Sequence, residues 1–385
     1  MSDGGWVFYV VVFAGATLLS LGLTPLALKL AVRRRALDHP GGHKGHESPV
    51  PYLGGLAMVG AFSLAVIVGA VVWPPATGRN ELVAVIAIAL VLSVVGLFDD
   101  LRGLPAWPRL LFEVGAGFGL WSVGVGVALF DADAVNLVAT VVWVVAIANA
   151  LNLLDNMDGL SAGVGVIGAG SFFVIAALNG QFLVAGLAAG TAGCALGFLR
   201  HNFHPARIYM GDSGSLFLGF LLAYLGLKLR FGGSTSVVSL VPILVLGVAI
   251  FDTALVTVCR LLRGRSPFLG ARDHVSHRLV AIGIPVRAAV SLTYGAAVSL
   301  GVIALVVSRI EPAPAYLLVG LVGALAIFVG VLLARIPVYD IEAARARWRE
   351  RLPDSSSVTT AVMPDAGIGA LTADREVRVS RHRRT

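Results

Sequence analysis

Charged residues are scarce in this chain of 385 residues, where Asp, Glu, Lys and Arg together make up 13% of the sequence. A soluble domain normally carries about 25%. Hydrophobic residues make up 57%, and the mean hydropathy is +0.87. These values exclude a soluble enzyme, a nucleic-acid-binding module and a disordered chain, because only lipid can cover so much apolar surface. The composition therefore predicts an all-α, polytopic integral membrane protein.

Cysteine is also rare, and basic residues are missing from the start of the chain. Cys194 and Cys259 lie within apolar stretches without paired spacing, which indicates small core residues rather than a disulfide. Residues 1–5 contain no Lys or Arg, and no small-residue cleavage site precedes the first apolar run. We therefore expect that run to remain as a helix and not to be removed as a signal peptide.

Apolar runs of the length that spans a bilayer, about 20 residues, recur throughout residues 1–335. The run near residue 110 is the weakest, because Pro108, Arg109 and Glu113 interrupt it. We predict about eleven transmembrane helices, at 6–32, 52–73, 81–98, 105–122, 134–151, 160–178, 181–199, 214–230, 237–262, 285–307 and 313–334.

The excess of positive charge has two readings. The net charge is +7 and the isoelectric point is near 9.8. Such values would indicate a nucleic-acid partner in a soluble protein, but in a membrane protein they reflect basic cytoplasmic loops. Alternate loops hold most of the Lys and Arg, which predicts that the N-terminus is outside, the C-terminus is cytoplasmic and no nucleic acid is bound.

Two segments follow the predicted membrane domain. Residues 336–352 carry apolar residues at helical spacing among arginines, which fits either a helix lying on the inner leaflet or a solvated helix. Residues 353–385 contain too little apolar surface to form a core, so we expect a disordered cytoplasmic tail.

Aspartates follow several of the apolar runs, all on the predicted cytoplasmic side. A single Asp at a helix end is usually a cap, but caps alone explain poorly a convergence from four loops. Adjacent carboxylates are costly to ionise without a cation, and oxygen ligands suit Mg²⁺ in phosphoryl transfer. The aspartates are Asp99, Asp100, Asp155, Asp158 and Asp212, with Asp252 inside a span.

Other polar residues share this predicted side. Asn149 and Asn152 lie on one helix face with Asp155, a stripe that has no role in lipid. Lys44 lies in a loop with His43 and His46. His274 and His277 could share a helix face as zinc ligands do, but no third ligand accompanies them. Contact with phosphate is the favoured interpretation for these histidines and for Arg278.

Six motifs in order resemble the polyprenyl-phosphate N-acetylhexosamine-1-phosphate transferases. This membrane superfamily includes undecaprenyl-phosphate GlcNAc-1-phosphate transferases and phospho-N-acetylmuramoyl-pentapeptide transferase, and belongs with glycosyltransferase family 4. The resemblance covers roughly residues 38–280. The motifs are "HKGHESPVPYLGG", "GLFDD", "NALNLLDNMDGL", "MGDSGS", "IFDT" and "HVSHRL".

The resemblance implies that GlcNAc-1-phosphate or a similar group passes from a UDP-sugar to a polyprenyl phosphate at the cytoplasmic face of the bacterial plasma membrane. Mg²⁺, or Mn²⁺ in its place, would be held by Asp212 and Asp100. Asp99 would act as base or orient the lipid phosphate. A homodimer is also suggested. Asn152, Asp155 and Asp158 would hold the nucleotide and shape the site, and Asn149 would also contact substrate. Lys44 would contact a phosphate or the nucleotide. The diphosphate or sugar would contact His274, His277 and Arg278.

Two positions depart from the pattern of that family. Its members usually read Asp-Gly before the second aspartate, where this chain has Asn156, and a His is common where this chain has Ser276. Asn tolerates a left-handed turn, so we expect an unchanged backbone at the first position. Three alternative functions remain: the same reaction with UDP-MurNAc-pentapeptide or another UDP-sugar, a membrane transporter, and a phosphatase acting on lipid diphosphates.

Overall fold

The computed structural model of the chain describes residues 4–38, 49–75, 77–230, 239–266 and 271–338. Within these ranges the protein is almost entirely helical. Two short strands, β1 (Leu37–Asp38) and β2 (Val50–Pro51), form an antiparallel pair in which Leu37 lies opposite Pro51. The all-α class predicted from composition is therefore confirmed.

The helices follow the apolar runs of the sequence. Most of them form where apolar residues continue for several turns, and most end at a glycine, a polar residue or a proline-marked loop. They are α1 (Gly4–Arg34), α2 (Gly54–Val72), α3 (Arg79–Arg102), α4 (Ala106–Ser122), α5 (Asp133–Leu154), α6 (Leu160–Leu178), α7 (Phe182–Asn202), α8 (Gly211–Lys228), α9 (Leu240–Val245), α10 (Gly247–Leu261), α11 (Val275–Ala281), α12 (Val286–Val307) and α13 (Pro312–Ala334).

Eight of the described helices are long and apolar enough to cross a membrane, namely α1, α2, α3, α5, α6, α7, α12 and α13. Their outer faces expose large apolar side chains, such as Leu18, Val71 and Ile327. A surface of this kind suits hydrocarbon and not water. The chain is thus a multi-pass membrane protein.

The count of eleven spans was an expectation that the helices meet only in part. α4 has 17 residues, and α8 opens with a polar first turn. The helix in the predicted span 237–262 is interrupted at Leu246, where α9 gives way to α10, so a single span there stays a prediction. The total number of spans and the orientation of the termini stay predictions.

α8 lies at the centre of the bundle. Every residue from Ser213 to Leu227 is buried, and the helix packs against α2, α3, α5 and α6. A helix that is apolar all round is stable only when other helices surround it. Because α8 is enclosed, its polar first turn is held among the ends of its neighbours.

Close packing brings the end of α3 against the start of α8. A Cβ atom on Gly96 would clash with the main chain of Asp212, so only glycine permits this approach. The start of α2 is tied to the same place, since the amides of Gly54 and Gly55 donate to the carbonyls of Tyr209 and Met210 at 3.0 and 2.9 Å. The ends of α3 and α5 and the starts of α2, α4 and α8 therefore meet at one end of the bundle.

The first of the two units into which the chain divides covers Met1–Ile336. All the helices above belong to the first unit. The helix predicted at 336–352 and the tail predicted at 353–385 lie, beyond residue 338, outside the described residues and stay predictions.

Candidate active site

Asp100 holds the first turn of α8. Its Oδ1 accepts a hydrogen bond from the amide of Asp212 at 2.9 Å, and its Oδ2 accepts one from the amide of Ser213 at 3.2 Å. The first amides of a helix have no partner within the helix, so a carboxylate there both caps it and offsets its dipole. Gly211, with φ of 67°, supplies the left-handed turn that aims these amides at α3. Asp100 thereby fixes the position of Asp212.

Arg109, on the first turn of α4, bridges two carboxylates from separate helices. Its Nη1 donates to Asp99 Oδ2 at 3.0 Å and to Asp212 Oδ2 at 2.7 Å. Asp99 also accepts the amide of Leu104 at 2.7 Å, which holds the loop between α3 and α4. Oxygens of Asp99 and Asp212 thus lie within 3.0 Å of one cationic nitrogen.

The predicted polar stripe on α5 supports the site formed by Asp99 and Asp212, which we call the acid pair. Asn152 donates from Nδ2 to Asp212 Oδ1 at 2.8 Å and to Ser215 Oγ at 2.9 Å. Asn149 donates instead to Glu113, which is fully buried on α4 and lies 3.8 Å from Arg109 Nε. Asn152 therefore contacts the acid pair directly, and Asn149 supports it through Glu113 and Arg109.

The turn between α5 and α6 carries the two other aspartates. Asp158 Oδ2 accepts hydrogen bonds from the amide of Ala206 at 3.0 Å and is 2.7 Å from His204 Nδ1, so it anchors the loop before α8. The side-chain carboxyl of Asp155 has no hydrogen-bond partner within the described residues, and its backbone amide donates to the carbonyl of Asn152 at 3.2 Å. Burial raises the pKa of Asp155 to about 7, and the negative charges of Asp212 and Asp158 add to this effect. A cation nearby would favour the ionised form of Asp155.

The carboxylate of Asp252 positions the histidine motif, the segment that contains His274 and His277. Asp252 on α10 is buried, lies 2.7 Å from His274 Nδ1 and accepts the amide of Val275 at 2.7 Å. Asp252 thus fixes the imidazole of His274 and caps α11. Burial, together with the positive charges of His274 and Arg272, lowers the pKa of His277 to about 4. His277 is therefore neutral at pH 7.

Two buried arginines, Arg278 and Arg260, form hydrogen bonds to Asp273 at the start of this motif. Arg278 is fully buried, and it donates from Nε to the carbonyl of Asp273 at 2.7 Å and from Nη1 to that of Leu333 at 2.8 Å. Arg260 pairs with the carboxylate of Asp273 through two hydrogen bonds at 2.7 and 2.8 Å. Substrate contact by Arg278 stays a prediction, and these bonds give the residue a structural role.

The two departures from the family pattern meet in space. Ser276 Oγ donates to Asn156 Oδ1 at 2.7 Å, and Asn156 Nδ2 donates to the carbonyl of Leu153 at 2.8 Å. Asn156 does not use the left-handed conformation: among the described residues, positive φ outside glycine occurs at Arg35. The unchanged backbone expected at this position stays a prediction.

The structure gathers most of the predicted site residues and adds others. Asp99, Asp212 and Asn152 belong to one hydrogen-bond network, and Asp100 caps the helix turn that carries Asp212. Asp155 lies close enough for the charge of Asp212 to raise its pKa. Lys44 lies outside the described residues, and so do His43 and His46. Arg109 and Glu113 were missed as site residues, although their interruption of an apolar run was the signal that could have identified them.

The donor set fits Mg²⁺. Asp99 and Asp212 offer hard carboxylate oxygens around a single point, and Asp155 adds another carboxyl nearby. No cluster of three or more His, Cys, Asp or Glu residues arranged as a metal site occurs in the part of the chain that is described. Mg²⁺ characteristically uses one or two carboxylates and completes its shell with phosphates and water, so such a cluster is not required.

Comparisons with known proteins agree with the motifs. The family model "Glycosyl transferase family 4" matches residues 82–230. A probable undecaprenyl-phosphate N-acetylglucosaminyl 1-phosphate transferase of Bacillus subtilis is 33% identical over 306 residues, which cover 76% of this chain and 83% of that protein.

Two further relatives broaden the comparison. The decaprenyl-phosphate N-acetylglucosaminephosphotransferase of Mycolicibacterium smegmatis is 34% identical over 301 residues, or 69% of this chain and 73% of that protein. The phospho-N-acetylmuramoyl-pentapeptide-transferase of Streptococcus equi is 29% identical over 263 residues, or 61% of this chain and 78% of that protein. This chain belongs to glycosyl transferase family 4.

Proposed function

We propose that this protein transfers N-acetylhexosamine-1-phosphate, with GlcNAc-1-phosphate as the favoured group, from a UDP-sugar to a polyprenyl phosphate. One observation carries the proposal: carboxylates of Asp99 and Asp212, from different helices, converge within 3.0 Å of one cationic nitrogen. Convergent carboxylates at a membrane boundary suit a metal-assisted reaction between two phosphorylated substrates. The products are a polyprenyl-diphospho-sugar and UMP, the first step of a cell-envelope glycan.

The proposed reaction is a displacement at phosphorus. An oxygen of the lipid phosphate forms a bond to the β-phosphorus of the UDP-sugar, and the bond from that phosphorus to the bridging oxygen breaks. The electron pair leaves with UMP. The second pKa of a phosphate monoester is about 6, so near pH 7 the attacking oxygen is already ionised. We therefore assign Asp99 to orienting the lipid phosphate, with proton removal as the alternative role.

The remaining residues hold the substrates and the metal. Mg²⁺, or Mn²⁺ in its place, would supply charge neutralisation on the diphosphate when bound. Asp212 is our main candidate ligand, and Asn152 orients it. Asp100 is the second predicted ligand, although its oxygens already hold the amides of α8. We assign Asp155 and Asp158 to the nucleotide side of the site.

A neutral His277 and the positioned His274 would donate hydrogen bonds to the diphosphate or sugar, and Lys44 would add a cationic contact. The basic loops of the sequence and the bacterial origin of the relatives support a site on the cytoplasmic face of the plasma membrane.

The relatives support GlcNAc-1-phosphate as the group transferred. Two of them, with 33% and 34% identity, are named for N-acetylglucosamine. The relative named for muramoyl-pentapeptide transfer is 29% identical, which keeps UDP-MurNAc-pentapeptide as the second candidate substrate. The transporter alternative is disfavoured, because the deep aspartate, Asp252, is occupied by His274 and the amide of Val275.

A transfer assay tests the proposal. The full chain in detergent is given UDP-[¹⁴C]GlcNAc and undecaprenyl phosphate, with Mg²⁺ or with EDTA. We expect labelled lipid and an equal amount of UMP with Mg²⁺ and neither with EDTA. Asp212→Asn should lower the rate by about 100-fold or more. The matched control is Asp133→Asn, which changes an exposed aspartate at the start of α5 and should leave the rate unchanged.

Each outcome has a definite meaning. Wild-type turnover by Asp212→Asn would overturn the metal role of Asp212. Labelled lipid formed from UDP-MurNAc-pentapeptide but not from UDP-GlcNAc would keep the reaction and move the substrate. Failure to form lipid from these two sugars and from other UDP-N-acetylhexosamines would overturn the proposed reaction.

A further inference from the structure

A hydrogen bond joins two turns that are 120 residues apart in the sequence. Ser276, which is 2% exposed, donates from Oγ to Asn156 Oδ1 at 2.7 Å. The orientation of the Asn156 amide is set independently, because its Nδ2 donates to the carbonyl of Leu153 at 2.8 Å. The oxygen of that amide must therefore face Ser276, so the bond is a defined donor–acceptor pair.

The two turns carry the residues assigned to the UDP-sugar. We call residues 155–159 the acid turn, because Asp155 and Asp158 flank Asn156 there. We call residues 273–278 the histidine turn, because His274 and His277 flank Ser276 there. A bond between the central residues of the two turns sets the distance between the flanking groups.

Each turn is also anchored to its own surroundings. In the acid turn, Asp158 accepts the amide of Ala206, and the amide of Gly159 donates to Asn202 Oδ1 at 3.0 Å. In the histidine turn, Asp252 holds the amide of Val275. These anchors place each turn against its neighbours, whereas the Asn156–Ser276 bond acts between the turns.

We propose that Asn156 and Ser276 are a matched positioning pair that fixes the acid turn and the histidine turn at the separation needed to bind the UDP-sugar. The pair rests on the proposed function, which places the nucleotide and the diphosphate at these turns. The two positions are also those at which the sequence departs from the pattern of the family it resembles. Removal of either residue alone would leave a polar group of the other without its partner.

The test is a double-mutant cycle on UDP-GlcNAc binding. Calorimetry measures the Kd of the full chain in detergent with Mg²⁺ and without lipid phosphate, for the wild type, Asn156→Ala, Ser276→Ala and the double variant. We expect each single change to weaken binding about fivefold, the effect of one hydrogen bond. The double variant should be no weaker than the weaker single, because residues that act as a unit are not additive.

Two further variants separate positioning from folding. Ser276→Thr keeps the hydroxyl and should bind within about twofold of the wild type. Ser161→Ala removes another buried hydroxyl beside the acid turn, which bonds to the carbonyl of Leu151 at 3.1 Å and does not reach the histidine turn. It should leave the Kd unchanged. If Asn156→Ala does not fold, Ser276→Ala compared with Ser276→Thr decides the question.

The results also separate this proposal from the proposed function. Multiplicative losses in the double variant, wild-type Kd in both single variants, or an equal loss in Ser161→Ala would overturn the matched pair. Coupled binding in a protein that forms no labelled lipid would overturn the transfer reaction and keep the pair. Normal formation of labelled lipid together with uncoupled binding would overturn the pair and keep the transfer reaction.

Discussion

At the scale of single residues, the charges of the site are unevenly matched. Asp99, Asp100, Glu113, Asp155 and Asp212 bring five carboxyl groups to one end of the bundle, and Arg109 is the cation that contacts Asp99 and Asp212. A divalent ion held by Asp212, our main candidate ligand, would share that carboxylate with the guanidinium of Arg109. The guanidinium and the metal should therefore compete for this acid pair.

The competition predicts tighter metal binding when Arg109 loses its charge. Arg109→Gln should bind Mn²⁺ about tenfold more tightly than the wild type, a change of about 1.4 kcal/mol, because two charge-assisted hydrogen bonds no longer oppose the metal. Electron paramagnetic resonance of free Mn²⁺ gives the Kd without substrates. The matched control is Arg102→Gln, which removes an exposed arginine from the end of α3. Equal affinities in the two variants would contradict competition at the acid pair.

His277 predicts a specific dependence of stability on pH. Its pKa is lowered from 6.5 to about 4 in the folded protein, so between these values the unfolded chain binds a proton that the folded chain does not. The folded state therefore loses stability as the pH falls from 6.5 towards 4 and keeps it fully above 6.5. His277→Gln should lose less in melting temperature between pH 6.5 and 4.5. Parallel melting curves for the two proteins would show that His277 does not titrate in this way.

The sequence predicted that aspartates form the site, but it did not predict which aspartates hold backbone amides and which are left to bind a ligand. The carboxylates of Asp100, Asp158 and Asp252 accept hydrogen bonds from backbone amides, whereas the carboxyl of Asp155 has no hydrogen-bond partner within the described residues. A capping aspartate and a ligand aspartate look alike in a sequence, because the amide that decides between them belongs to a distant segment.

At the scale of elements, the start of α8 is the critical junction. Asp100 on α3 accepts hydrogen bonds from the first amides of α8, and Gly211 supplies the left-handed turn before them. The position of Asp212 therefore depends on two segments that are distant in the sequence. Local sequence within α8 offers no side-chain cap of its own. The helix is thus completed by tertiary contact.

Removal of that contact should cost stability. Asp100→Ala leaves two helix amides without acceptors and should lower the free energy of unfolding by about 1–2 kcal/mol, in the range of a lost cap. Unfolding by SDS in mixed micelles measures the change. The control, Asp133→Ala, removes an exposed aspartate from the first turn of α5 that makes no capping bond, so its loss should be a few tenths of a kcal/mol. Equal losses in both variants would deny Asp100 a capping role.

Most helices could be predicted, because apolar runs of spanning length have few alternatives in lipid. The break at Leu246 could not be predicted, since the residues around it are apolar on both sides and hydropathy sees a continuous run. α4 was ambiguous for the opposite reason: Arg109 and Glu113 are costly in lipid and become favourable only when α3, α5 and α8 supply their partners.

At the scale of the whole molecule, lipid-facing helices surround a polar end where α2, α3, α4, α5 and α8 meet. The membrane class and the gathering of acidic motifs at one end follow from composition and from the spacing of the runs. The contacts across that end depend on tertiary packing, such as Arg109 with two aspartates and Ser276 with Asn156, which no local pattern specifies.

We propose that the end of the bundle that holds the aspartates faces the cytoplasm and that phospho-sugar transfer there depends on Asp212. Bacterial membrane vesicles of known orientation, made with the wild type or Asp212→Asn, can be supplied with UDP-[¹⁴C]GlcNAc, which does not cross the bilayer. We predict Mg²⁺-dependent labelled lipid in wild-type inside-out vesicles alone, and about 100-fold less or lower still with Asp212→Asn. Labelled lipid in sealed right-side-out vesicles, or undiminished labelling with Asp212→Asn, would contradict the account.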